Sequence, residues 1–261
     1  MTHGGRLCLV WSLAVSAIGV CVSAAAGQTA LAPVTTILTT PRAVDSDTVG
    51  LRLIRAARAG ELREVRELLR QGANVDARAA DGATALHWAA HGADLRVADL
   101  LLEAGANVAI TNRYGVAPLA LASLNGQAAM VVRLLDAGGD PDTTQPGGET
   151  ALMTAARTGR VEAVQVLLDH GANPDAREVS KGQTALMWAA AEDNADVVRA
   201  LVAAGADVQG RTSTSLDLTP NEPGDKGFTA LLFAVRAGQL AAADALIAAG
   251  ADVNDTLADG T

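Results

Sequence analysis

The stretch DGATALHWAAHGADLRVADLLLEAGANVAITNRYG, residues 81–115, decides the fold, because its parts recur along the chain at a nearly fixed interval. Gly-Ala-Asn or a close variant recurs at spacings of 33, 33, 33, 34 and 45 residues. Its glycines are Gly72, Gly105, Gly138, Gly171, Gly205 and Gly250. A period of about 20–50 residues is typical of proteins built from stacked repeats, in which each unit buries its apolar face on its neighbours.

A second mark, Thr-Ala-Leu or a variant, begins 21 residues before each of the last five glycines. It starts at Thr84, Ala117, Thr150, Thr184 and Thr229, and the segments before these marks have 12, 12, 12, 13 and 24 residues. Within the constant block, apolar residues recur at helical spacing in two runs separated by a residue such as Gly159, which predicts two short antiparallel helices. The variable segment is predicted to be a surface finger, where changes of length cost little.

Local signals agree with helices at these positions. The threonine of each mark suits an N-cap, and Pro118 would occupy the first helical position of its copy. Gly171 and its equivalents are expected to end the second helix in a left-handed turn. A glycine two residues before each mark predicts the tight turn of the finger; these are Gly82, Gly115, Gly148, Gly182 and Gly227.

The period and both marks resemble the ankyrin repeat, whose pattern is close to D-x-x-G-x-T-P-L-H-x-A-A followed by V-V-x-L-L-L-x-x-G-A-D. The resemblance covers six copies and implies an all-α solenoid of stacked helix-turn-helix pairs with protruding finger loops. The family's histidine is kept only as His87 and its proline only as Pro118, while Ala93 and Asp193 replace the glycine before the second helix. These departures put local hydrogen bonds in question, whereas the fold is unaffected.

The chain divides into segments of different character. Residues 1–26 have the basic, apolar and small-residue order of a secretory signal peptide, with an uncleaved membrane anchor as the alternative. Residues 27–50 are predicted to be a flexible tether, and residues 51–261 the repeat domain. Within that domain, 51–72 is a polar N-terminal cap repeat, 211–227 an extended finger loop, and 259–261 the truncated start of a seventh repeat, so the natural chain is expected to continue past Thr261.

Several chemistries are disfavoured by the composition. Twenty-nine acidic against 20 basic residues, a net charge of −9, argue against a nucleic-acid partner. His87 and His91 have the spacing of a zinc pair, but the family's histidine is structural and a third ligand is missing. Carboxylates such as Asp76, Asp175, Asp207 and Asp252 fall in the repeated turn and are interpreted as turn formers. No catalytic motif, cofactor, metal or small-molecule substrate is indicated, so an enzyme is not expected.

The resemblance implies a module that binds another protein through its finger loops and the concave helix face, and the N-terminal pattern predicts that this module is exported, periplasmic or secreted. A regulatory part of a longer enzyme and a purely structural periplasmic protein are the alternatives. Trp88 and Trp188 share one register and fit either repeat-to-repeat packing or an exposed stacking surface. The candidate partner-binding residues are Arg113, Tyr114, Glu149, Arg157, Lys181, Gln183, Glu192, Leu216, Leu218, Lys226, Phe228 and Arg236.

Overall fold

The computed structural model describes residues 46–212 and 227–256. Within these ranges it has twelve α-helices and no strand, which confirms the predicted all-α repeat solenoid. None of these helices is long and apolar enough to cross a membrane. The six pairs are α1 (Ser46–Ala59) and α2 (Leu62–Arg70), α3 (Ala85–Gly92) and α4 (Leu95–Glu103), α5 (Pro118–Leu124) and α6 (Ala128–Asp136), α7 (Ala151–Arg157) and α8 (Val161–Asp169), α9 (Ala185–Ala191) and α10 (Ala195–Ala203), and α11 (Ala230–Ala237) and α12 (Leu240–Ala248).

The helices form two layers. The first helix of each pair packs against the first helix of the next, and the second helices pack in the same order behind them. The first helices bury mainly alanine, such as Ala89 and Ala90, and the second helices bury larger residues such as Leu101 and Leu134. Small side chains let neighbouring first helices approach closely.

The predicted helix ends are observed. The Thr150 hydroxyl accepts a hydrogen bond from the Met153 N–H at 3.2 Å, and Pro118 is the first residue of α5. Gly171, after α8, has a φ of +87°, a left-handed conformation in which a side chain would be strained. The second helix therefore ends where the repeated glycine allows the chain to reverse.

The first helix begins earlier than the sequence predicts. α1 starts at Ser46, so the last five residues of the predicted tether, 46–50, are helical. Val49 packs against the core, and Gly50 lies so close to Ala77 that a Cβ on it would overlap that side chain. Burial of these residues extends the helix beyond the predicted boundary. Residues 1–45 and 257–261, which hold the predicted signal peptide, most of the tether and the seventh repeat's start, lie outside the described ranges.

The extended finger joins two helix pairs of one stack. Its residues 213–226 lie outside the described ranges, but its two ends are paired: the Thr212 N–H donates to the Phe228 carbonyl at 3.0 Å, and the Phe228 N–H donates to the Thr212 hydroxyl at 3.1 Å. The Gln239 side chain donates to the Ala191 carbonyl at 3.0 Å, and helix α11 packs directly against α9. The sixth pair therefore continues the stack in register.

Turn carboxylates connect neighbouring repeats. Asp76 accepts a hydrogen bond from the Asn107 N–H at 3.0 Å, and Asp175 accepts one from the Asp207 N–H at 2.9 Å. Asp252 accepts from the Asn254 N–H within its own turn at 2.9 Å. Each of these carboxylates forms a turn or joins two turns, in agreement with the structural role predicted for them.

Candidate functional site

The exposed side of helices α1, α3, α5, α7, α9 and α11, together with the finger bases beside them, is called here the first-helix face. Two positions of each repeat dominate it, four and seven residues after the start mark. The first holds Arg55, Trp88, Leu121, Thr154, Trp188 and Phe233, and the second holds Arg58, His91, Leu124, Arg157, Ala191 and Arg236. Thr154 and Phe233 are buried; the aromatic and cationic members with exposed surface lie on a scaffold that is mostly alanine and are Arg55, Arg58, Trp88, His91, Arg157, Trp188 and Arg236.

Two tryptophans on this face are each stacked by an arginine of the preceding repeat. The Arg58 guanidinium carbon lies 4.4 Å from the Trp88 ring centroid, and that of Arg157 lies 5.0 Å from the Trp188 centroid. Both indoles also pack against the core and are half-buried. One side of each ring meets the core and another meets an exposed arginine of the neighbouring repeat, which agrees with the packing interpretation; a stacking surface for a partner stays a prediction.

The cleft around Trp188, of about 260 Å³, has polar groups that are satisfied within the protein. The Trp188 indole N–H donates to the Gln183 amide oxygen at 2.9 Å. The Arg157 guanidinium pairs with the Glu149 carboxylate at 3.5 Å, and the Thr154 hydroxyl donates to the same carboxylate at 2.8 Å. The cleft is lined by Arg157, Gln183, Met187, Trp188, Ala191, Glu192 and Phe233.

A second cleft, of about 240 Å³, surrounds Trp88. His91 contacts the Trp88 ring edge-on, with the ring centroids 6.3 Å apart. The Trp88 indole nitrogen is enclosed and has no hydrogen-bond partner among the described residues. The cleft is lined by Asp81, Ala83, His87, Trp88, His91, Asn112 and Leu121.

His87 has a structural role at the floor of this cleft. Its Nδ1 accepts a hydrogen bond from the Thr84 N–H at 3.1 Å, and its Nε2 donates to the Val116 carbonyl of the next repeat at 3.0 Å. Burial lowers the pKa of His87 below its ordinary value, because the charged imidazolium is poorly solvated there. Both ring nitrogens are engaged, which leaves neither available to a metal. Fully buried Met153 and Met187 fill the equivalent position in other repeats.

Several predicted binding residues come together at the Trp188 cleft. Arg157, Gln183 and Glu192 line it, and Glu149 lies at its edge through the ion pair with Arg157. Arg236 is exposed in the last turn of α11, and its guanidinium carbon lies 5.5 Å from the Phe228 ring centroid.

Other predicted residues lie elsewhere. Arg113 and Tyr114 are at the turn of the second finger, where the Arg113 guanidinium donates to the Ala80 carbonyl of the first finger and Tyr114 is 66% exposed. Lys181 is exposed in the turn of the fourth finger. Leu216, Leu218 and Lys226 fall outside the described ranges.

Phe228 corrects one expectation. It is only 9% exposed and packs on Phe233 with the ring centroids 5.3 Å apart, so it belongs to the core rather than to an exposed contact surface. Its position directly before Thr229 brings the finger back onto α11, where the aromatic ring gains more by burial than by exposure. The sequence-derived set does not include Arg58 and His91, which lie beside Trp88 and in the register of Arg157.

Comparison with protein families supports the repeat register. A family model described as ankyrin repeats (3 copies) matches residues 53–145 and 119–212, and one described as ankyrin repeats (many copies) matches residues 186–247. The two matches of the three-copy model begin 66 residues apart, which is two periods of 33. No curated protein sequence matches the chain.

Proposed function

Because this chain belongs to the ankyrin repeat family, whose domains are generally protein–protein interaction modules, we propose that it is an exported module that holds a protein partner on its first-helix face and finger loops. The observation that carries the proposal is the recurrence of an arginine-stacked tryptophan at one register, in each case beside a cleft of about 240–260 Å³. Tryptophan and arginine dominate the binding energy of protein interfaces, since each combines a large contact area with a polar group.

Binding is tested by position-specific photo-crosslinking in the native organism. A photoreactive residue replaces Glu192, which is exposed at the Trp188 cleft, or Gln165, which is exposed on α8 in the second layer. We expect a covalent adduct with one defined protein from position 192 and none from position 165. Combining position 192 with Trp188→Ala should weaken the adduct. The same adducts from both positions, or none from position 192, would refute the proposed binding face.

Export is supported by the tripartite pattern of residues 1–26. The mature protein should then begin at or near Gly27 outside the cytoplasm, without Cys8 and Cys21, the two cysteines of the chain. Terminal mass spectrometry of the protein from separated cell fractions measures this start. An intact N-terminus in the cytosol would contradict export and would leave the binding proposal untouched.

A further inference from the structure

The two arginine–tryptophan stacks differ in the carboxylate that pairs with the arginine. Arg157 pairs with Glu149 at 3.5 Å, and the position equivalent to Glu149 in the first repeat is Gly50. Gly50 is packed on Ala77, so no side chain at that position could supply a carboxylate. Among the described residues Arg58 has no ion-pair partner, and its guanidinium is held by the Trp88 ring. The first stack therefore presents a positioned guanidinium whose carboxylate is missing.

The indole of the first stack lacks its partner as well. The Trp188 indole N–H donates to Gln183, whose equivalent in the second repeat is Ala83 at the edge of the Trp88 cleft. Alanine offers no side-chain acceptor, and the Trp88 indole nitrogen has none within the described part of the chain. An enclosed N–H without an acceptor is costly.

A cationic side chain of α1, Arg58, lies over the Trp88 ring, and the lining of the cleft itself includes one carboxylate. Arg55 lies one turn before Arg58 on α1, and both are exposed. Asp81 is the carboxylate among the lining residues, and one of its oxygens accepts a hydrogen bond from the Ala83 N–H at 3.0 Å. His87 and His91 are the other titratable groups that line the cleft. On a chain with a net charge of −9, this end of the first-helix face is locally cationic.

We infer that the Trp88 cleft binds an acidic side chain, next to an apolar one, on an extended segment of the protein partner; this inference rests on the proposed function. The carboxylate lies beside Arg58 as Glu149 lies beside Arg157, and the apolar neighbour packs against Trp88 and Leu121. The Arg58 guanidinium lies 4.4 Å from the Trp88 ring centroid, and its planar N–H groups can donate to a carboxylate.

The test follows the indole N–H signals of the isotope-labelled full chain by nuclear magnetic resonance. Substituting Trp11, Trp88 and Trp188 singly by Phe assigns the three signals. The probe is acetyl-Leu-Glu-Leu-amide, compared with its Gln isostere and with acetate at equal concentration. We expect the Glu peptide to shift the Trp88 signal with at least about fivefold higher affinity than the Gln peptide, as for a partly exposed charge-assisted hydrogen bond.

Two matched variants complete the test. Arg58→Gln should reduce the affinity for the Glu peptide to that for the Gln peptide, whereas Arg66→Gln, the same charge change at an exposed site on α2, should leave it unchanged. Equal responses to both peptides, equal loss in both variants, or a larger shift at Trp188 would overturn the inference. An equal response to acetate would show that the cleft binds a small free anion and not an acidic peptide segment.

The experiments can refute the protein partner and the acidic subsite independently of each other. A selective Trp88 response without a position-specific crosslink would leave the acidic subsite standing and remove the protein partner. A crosslink from position 192 with no Trp88 response would keep the partner and remove the subsite.

Discussion

Ala93 provides a sharp test of how the helix pairs are joined. It lies between α3 and α4 with a φ of +55°, in the left-handed region, where other repeats have glycines such as Gly126 with a φ of +70°. A left-handed conformation costs a non-glycine residue about 1–2 kcal/mol. Glycine offsets about 0.5–1 kcal/mol of this gain, because its greater conformational freedom stabilises the unfolded chain. We therefore expect Ala93→Gly to raise the free energy of unfolding by about 0.5–1 kcal/mol.

Asp193 is the matched control, because it has a similar φ of +59° in the fifth repeat but also makes a bond. Its carboxylate accepts from the Ala242 N–H in the first turn of α12 at 2.9 Å. Asp193→Gly gains the same ~0.5–1 kcal/mol from relieved strain but loses a hydrogen bond to a charged group that contributes about 1.5–3 kcal/mol, which leaves a net loss of about 0.5–2.5 kcal/mol. This substitution should therefore destabilise the protein.

Urea unfolding followed by circular dichroism measures both changes. With a stack of about 200 residues, Ala93→Gly should raise the melting temperature by about 1–4 °C. The slope of the free energy against urea concentration should stay constant, because the surface exposed on unfolding does not change. A loss of stability in Ala93→Gly, or equal gains in both variants, would refute the argument. The argument requires that a hydrogen bond offsets the backbone strain at Asp193 and that nothing offsets it at Ala93.

Three further predictions concern His87, the core and the extended finger. Because the pKa of His87 is lowered in the folded state, its neutral form is favoured there, and the stability it contributes should be full above about pH 6.5 and fall as the pH falls below that value. The difference in free energy of unfolding between wild type and His87→Met, measured by urea unfolding, should therefore shrink from pH 7.5 to pH 5. A constant difference would contradict this. Leu134→Ala, at a fully buried position, should cost about 2–5 kcal/mol in the same assay, whereas Leu124→Ala, 41% exposed, should cost much less; similar losses would be inconsistent with the described core. Removing 12 residues between Thr212 and Gly227 should change stability by only about 0.6 kcal/mol and abolish capture of the crosslinked partner; undiminished capture would show that the finger is not a contact.

The sequence by itself determined the repeat architecture. Threonine caps, Pro118 and the glycines after each second helix specify backbone conformations within a few residues, and their recurrence at 33 residues defines the stack. These signals are local, so they could be recognised without the tertiary structure. The same reasoning located the departures at Ala93 and Asp193, which the structure shows as left-handed residues other than glycine.

Only the tertiary structure decided which side chains on the first-helix face are satisfied. Phe228 looked like a finger-tip contact and is buried on Phe233, and the helix that begins at Ser46 is held by packing on residues of a later turn. Arg58 and Trp88 are 30 residues apart, and their contact depends on how one repeat stacks on the next. Local propensity carries no information on such contacts, because the burial and hydrogen bonding of a side chain are set by neighbours that only the stacking of the helices brings within reach.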